Sequence, residues 1–239
     1  MNLNSGTFRI VYEETKFAFG KLLILYITIP ILLLWLTIGY FFNLGDEVIA
    51  AISGPTYFFI LLYAINGFKT IFPVAIGMGS TRINLLKTFY AVGLASVLIV
   101  TFVLNLLQLI LVTFYERWNV GAHILHPGTF LHREYTFLSY YVMDFMVGIL
   151  LFSFAFLFYT IYYRLGFKKT VIWLTVLMII GTLIHYSGLI DFSFWEWLVA
   201  QDLSDSVIFS FVIIISLITL FITYPIMRNA PLTAKSKRD

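Results

Sequence analysis

Few side chains in this sequence are equipped for chemistry, and their positions limit which chemistry is open. Asp144 is the one charged residue inside the apolar run from Tyr135 to Tyr163. An intramembrane carboxylate is costly and marks an ion, proton or substrate route unless it reaches the interface. Asp144 lies nine residues inside the run, so snorkelling, or a pair with Arg133, is the alternative. In another run, Thr88 to Tyr115, Thr101, Asn105 and Gln108 fall at i, i+4 and i+7 and share one helical face. They either line a pathway or hydrogen-bond to neighbouring helices. His123, His126 and His132 crowd the connection from Glu116 to Glu134 around Pro127 and Gly128. No cysteine or carboxylate pair completes a metal ligand set there, so ordinary loop histidines are a commoner explanation than a metal, and a pH-dependent loop has no more support than the metal.

A second concentration of functional residue types is Lys69 to Lys87, KTIFPVAIGMGSTRINLLK, between two long apolar runs. Pro73 blocks simple continuation of the preceding helix, Gly77 and Gly79 free the backbone, and Ser80 or Thr81 can cap a short helix carrying Arg82, Asn84 and Lys87. Apolar and cationic positions alternate, as in a helix that lies on a membrane or docks on a partner. An ordinary basic turn is the plainer reading.

The elements that must position these residues are membrane spans. Of 239 residues, 61% are hydrophobic and 11% charged, with 25 Phe and 15 Tyr, more apolar surface than a soluble core of this size requires. Ser5 to Phe19 places Phe8, Val11, Tyr12, Thr15 and Phe19 towards one side and Arg9, Glu13 and Lys16 towards the other, an amphipathic helix with an Arg9–Glu13 pair one turn apart. Six spans are expected: Leu22 to Phe42, Val48 to Phe68, Thr88 to Tyr115, Tyr135 to Tyr163, Thr170 to Ile190 and Ser206 to Met227. Leu22 to Phe42 is too long for a signal peptide's apolar region and lacks a small-residue cleavage site. Between the last two spans, DFSFWEWLVAQDLSD with Trp195 and Trp197 suits an interfacial or re-entrant segment. The fold class is all-α and polytopic, a single transmembrane domain over residues 1–239 with a basic tail at 228–239.

If the N-terminus, the Lys69 to Lys87 loop, the Arg164 to Lys169 loop and the tail share one side, that side holds every Lys and Arg except Arg117 and Arg133. The positive-inside rule makes it the cytoplasm, with both termini inside. No G-x-x-x-x-G-K-[ST], H-E-x-x-H or G-x-S-x-G occurs, and the acids and histidines look scattered, so an enzyme is not expected. The net charge of +3, spread along the loops, gives no nucleic-acid signal.

The order of features resembles ABC transporter permeases of the type-2 exporter class, in their small bacterial form: an amphipathic N-terminal helix, six spans, a basic loop after the second and an aromatic segment before the sixth. The stretch FPVAIGMGSTRINLLKTFY is similar to one common in such permeases. The resemblance implies a plasma-membrane subunit that binds no cofactor itself. ATP and Mg would sit on separate ATPase subunits, and a second permease chain, identical or related, would complete the path through the bilayer. Gly79, Ser80, Thr81 and Arg82 would form the ATPase contact, with Arg9 and Glu13 orienting the first helix beside it. Thr101, Asn105, Gln108 and Asp144 are candidates for the substrate path, and an amphiphile such as an antimicrobial peptide, a lipid or a hydrophobic toxin is the expected cargo. A non-transporting immunity or sensor protein that binds a peptide through its outer loops is the alternative. A secondary transporter or channel is disfavoured because no paired intramembrane charges are visible.

Overall fold

In hydrocarbon no water is present to bond the backbone, so apolar runs of this length fold as helices. A computed structural model describes residues 3–42, 48–127, 135–188 and 205–231. Its helices are α1 (Leu3–Thr15), α2 (Ile29–Phe42), α3 (Gly54–Leu62), α4 (Phe68–Gly77), α5 (Arg82–Arg117), α6 (Phe137–Leu165), α7 (Phe167–Tyr186) and α8 (Asp205–Arg228). π-helical turns join α1 to α2 over Lys16–Thr28 and α3 to α4 over Tyr63–Gly67. Among the described residues, six continuous helical stretches are long and apolar enough to cross a membrane: Gly6–Phe42, Gly54–Gly77, Arg82–Arg117, Phe137–Leu165, Phe167–Tyr186 and Val207–Arg228. The chain is an all-α, multi-pass membrane protein. His132, Arg133, the segment around Trp195 and Trp197, and the tail beyond residue 231 lie outside the described residues.

Two expectations about the first half change. The N-terminal helix is not a separate element but runs unbroken into the first span. Its buried positions, Thr7, Val11, Thr15, Phe19 and Leu23, repeat every four residues, a step that drifts about 40° around an ordinary α-helix. The wider π-helical turns reduce this drift, and the Ile29 amide accordingly reaches back five residues to the Ile24 carbonyl. The widening ends at Thr28, just before Pro30, whose ring would crowd the carbonyl four residues earlier in a regular α-helix. Arg9 and Glu13 are both exposed, and among the described residues they form no ion pair.

The second change concerns Lys69 to Lys87, where no separate docking helix forms. The helix continues through Pro73 to Gly77, a turn occupies Met78 to Thr81, and α5 starts at Arg82. Pro73 is tolerated because the carbonyl it frees belongs to exposed Lys69, at the end of the span where polar groups can reach it. Reversal of direction is left to Gly79, whose φ of 89° is in the left-handed region. Thr81 then caps α5, its Oγ1 accepting from the Asn84 amide at 3.2 Å.

The chain divides into two compact units, residues 1–156 and 157–239. In the first, the largest buried side chains form an aromatic nest. Phe68, Phe89, Phe152 and Phe156 are fully buried, and Tyr63 stacks on Phe89 with ring centroids 5.5 Å apart. At one end of this unit a short parallel ladder pairs β1 (Ile49–Ala50) with β2 (His123–Ile124). The His123 amide donates to the Val48 carbonyl and the Leu125 amide to the Ala50 carbonyl, both at 2.8 Å. Beneath it pack Leu32, Ile52, Leu104, Leu111 and Tyr115, and the Trp35 indole donates to the Ala51 carbonyl at 3.2 Å. In the second unit, Gly166 alone separates α6 from α7. The Tyr163 hydroxyl there donates to the Pro231 carbonyl at 2.8 Å.

Candidate functional site

The ladder fixes the register of the chain leading into His126, three residues past His123. His123 points outward and is exposed; His126 turns inward and is fully buried. Its ring stacks on Tyr140 of α6, centroids 3.9 Å apart and planes 5° from parallel. Its Nε2 meets Oδ1 of Asp144, also on α6, at 2.7 Å. Asn105 of α5 donates through Nδ2 to Asp144 Oδ2 at 2.6 Å, and the Tyr57 hydroxyl of α3 donates to Asp144 Oδ1. One carboxyl group thus ties together α3, α5, α6 and the segment after β2, with no solvent exposure at Asp144, His126 or Asn105.

Asp144 is therefore not isolated. The carboxyl group does not snorkel, because its oxygens already have partners inside the bundle, and Arg133 lies outside the described residues. The acids and histidines are not all scattered either: His126 and Asp144 are a buried pair. Asp144 was reachable from sequence as a lone acid in an apolar run. His126 was not, since three loop histidines look alike; the available signal was the apolar pair Ile124–Leu125 immediately before it.

Thr101, Asn105 and Gln108 lie on one fully buried stripe of α5. Thr101 bonds back to the Val97 carbonyl at 2.8 Å, and Asn105 adds a bond to the Thr101 carbonyl at 3.0 Å beside the one to Asp144. Among the described residues, Asn105 Oδ1, both amide atoms of Gln108 and the Tyr135 hydroxyl are buried without a protein partner. Burial pushes the Tyr135 phenol above its ordinary value, and Tyr140 and the acids Glu116 and Asp144 add to the shift, so Tyr135 stays a neutral donor. Buried polar atoms of this kind usually bond to internal water. Chemically the cluster brings an acid into direct hydrogen-bond reach of an imidazole and a phenol. Among the described residues no three His, Cys, Asp or Glu side chains come together as a metal site.

The Met78–Thr81 turn lies at the other end of α5 and is built differently. Ser80 is buried and accepts from the Thr7 hydroxyl at 2.8 Å; Asn84 Nδ2 donates to Thr7 Oγ1 at 3.4 Å. The turn is therefore pinned to α1. Gly79 and Thr81 remain exposed and Arg82 is half-buried, so the four residues of the expected ATPase contact divide: Ser80 faces inward and the other three line the rim. Val74 and Met78 add exposed apolar surface beside them. Arg9 and Glu13, on exposed positions of α1, take no part in the pinning bonds.

No protein-family model, curated protein or solved structure matches this chain.

Proposed function

We propose that this chain is the membrane-spanning subunit of an ATP-driven exporter in a bacterial plasma membrane, with both termini in the cytoplasm and a separate ATPase supplying the power stroke. The observation that carries the reading is the pinned turn between α4 and α5. A coupling surface must be rigid towards its own bundle and open towards its motor. Here Thr7, Ser80 and Asn84 provide the first property, and Met78, Gly79, Thr81 and Arg82 provide the second. Arg82 is the anchor, since a guanidinium makes several directed bonds to carboxylates or carbonyls. Closure of two ATPase subunits around ATP and Mg would push on this turn. Because the turn is bonded to α1 and continuous with α4 and α5, it would move those helices as a body. A second copy or a related chain would complete the path, and an amphiphile remains the favoured cargo.

The test is co-purification of the chain from its native host in mild detergent. A P-loop ATPase is expected to accompany it, and Arg82→Ala is expected to weaken that association at least about tenfold, as truncation of an interfacial arginine typically does, without lowering the amount of inserted protein. Recovery of no ATPase, or full retention by Arg82→Ala, would remove the turn from this role.

The buried His126–Asp144 pair favours a second reading, proton-coupled secondary transport, because an intramembrane acid in direct contact with an imidazole is the kind of group from which proton relays are built. Purified chain in vesicles separates the two. Uptake driven by an imposed proton gradient without any ATPase would select the second reading, and uptake that needs the ATPase and ATP would select the first.

A further inference from the structure

We propose that the groove between α1 and the first half of α5 is a binding site for one anionic phospholipid, with its phosphate at Lys87 and an acyl chain along α5. The groove has a volume of about 490 Å³, within the range of small-ligand sites of roughly 300–1,000 Å³. Its depression comes from small side chains, Ala91, Ala95 and Ser96, beside a wall made by Phe8 and Tyr12. Those two rings are stacked, with centroids 5.9 Å apart and planes 12° from parallel, and present one flat apolar face.

Three observations select this occupant. Lys87 is exposed at the mouth, is the last charge before the 28-residue uncharged run Thr88 to Tyr115, and forms no ion pair among the described residues. An unneutralised ammonium at that depth attracts a phosphate. The Thr88 hydroxyl, next in sequence, also lines the groove and can bond a headgroup. From Lys87 to Ile99 the groove extends twelve residues along α5, about 18 Å at 1.5 Å per residue. One leaflet of a hydrocarbon core of about 30 Å is about 15 Å deep, so the groove accepts a chain from a single leaflet. Ser96 does not oppose this, because its hydroxyl is satisfied by the Val92 carbonyl at 2.6 Å. A second copy of the chain is the competing occupant, since small residues also permit close helix approach. It would, however, bury the Lys87 ammonium against an identical basic surface.

Native mass spectrometry of the full chain, equilibrated with equal amounts of phosphatidylglycerol and phosphatidylcholine of identical acyl chains, tests the assignment. The wild type is expected to retain one phosphatidylglycerol about fivefold in preference, corresponding to about 1 kcal/mol for one lysine at an anionic headgroup. Lys87→Gln is expected to abolish the preference while keeping some lipid of either kind. Ala95→Trp, which fills an exposed part of the groove, is expected to reduce both adducts. Lys69→Gln, an exposed cation outside the groove, is expected to change nothing. Absence of preference in the wild type overturns the proposal, as does preference that survives Lys87→Gln or is lost equally in Lys69→Gln. A lipid-free dimer that Ala95→Trp dissociates would assign the groove to a second copy instead.

Discussion

Asp144→Ala is expected to destabilise the protein by about 3–5 kcal/mol, because several buried polar groups lose a shared acceptor at about 1–3 kcal/mol each. The carboxyl group takes bonds from Tyr57, Asn105 and His126, which come from three different parts of the chain. Alanine would remove the shared acceptor that joins these three side chains inside the bundle. Asp144→Asn is expected to cost less, about 1–2 kcal/mol. Its amide oxygen still accepts, and a flip of the Asn105 amide would offer the otherwise unpartnered Oδ1 to the new amide nitrogen. Thermal and SDS unfolding in one detergent would measure both. Equal melting of wild type and Asp144→Ala would mean that the cluster does not hold the bundle together. If Asp144→Asn remains nearly as stable as wild type yet transports poorly, the carboxyl group acts in transport and not only in packing.

Gly93→Val is expected to be nearly as damaging, at roughly 3 kcal/mol, the upper end of overpacking costs. A Cβ at position 93 would stand 2.5 Å from Cζ of Phe152 and 2.9 Å from its Cε2. Phe152 cannot swing aside, because it is fully buried with Phe89 5.8 Å and Tyr63 6.4 Å away between ring centroids. The strain would pass into the nest where α5 and α6 approach each other. A double-mutant cycle checks the cause: Phe152→Leu should soften the effect of Gly93→Val, because the two act through the same atoms. Additive losses would place the damage elsewhere.

The parts of this fold that were legible in the sequence are those fixed by continuous local pattern. An uncharged run such as Thr88 to Tyr115 has one way to cross hydrocarbon, so α5 was readable, and the common face of Thr101, Asn105 and Gln108 followed from helical spacing. The turn between α4 and α5 was readable as a basic interruption but not in shape. Pro73 signals a break in water, whereas at the polar end of a span the helix runs through it. The first helix was misjudged for a related reason: polar Arg9, Glu13 and Lys16 imply an end to the span, yet the four-residue repeat of Thr7, Val11, Thr15 and Phe19 carries one buried face onward. The partner of Asp144 was the least legible. His126 is 18 residues away in sequence, beyond any helical period, and reaches its place only through pairing between residues 49–50 and 123–124. Neither two-residue strand has a pattern of its own.

That pairing also sets an order of assembly. Ile49 and Ala50 precede α3, while His123 and Ile124 follow α5, so two further helical stretches must be made and inserted before the strands can meet. Asp144 is made later still. During synthesis the backbone groups of residues 48–50 wait for residues 123–125, which follow the third stretch, and His126 gains Asp144 only when the fourth stretch is in place. A chain truncated before α6 could therefore form the ladder but not the His126–Asp144 contact. Contacts that close over such long intervals are slow to form, so the ladder and the His126–Asp144 contact belong to the late steps of folding.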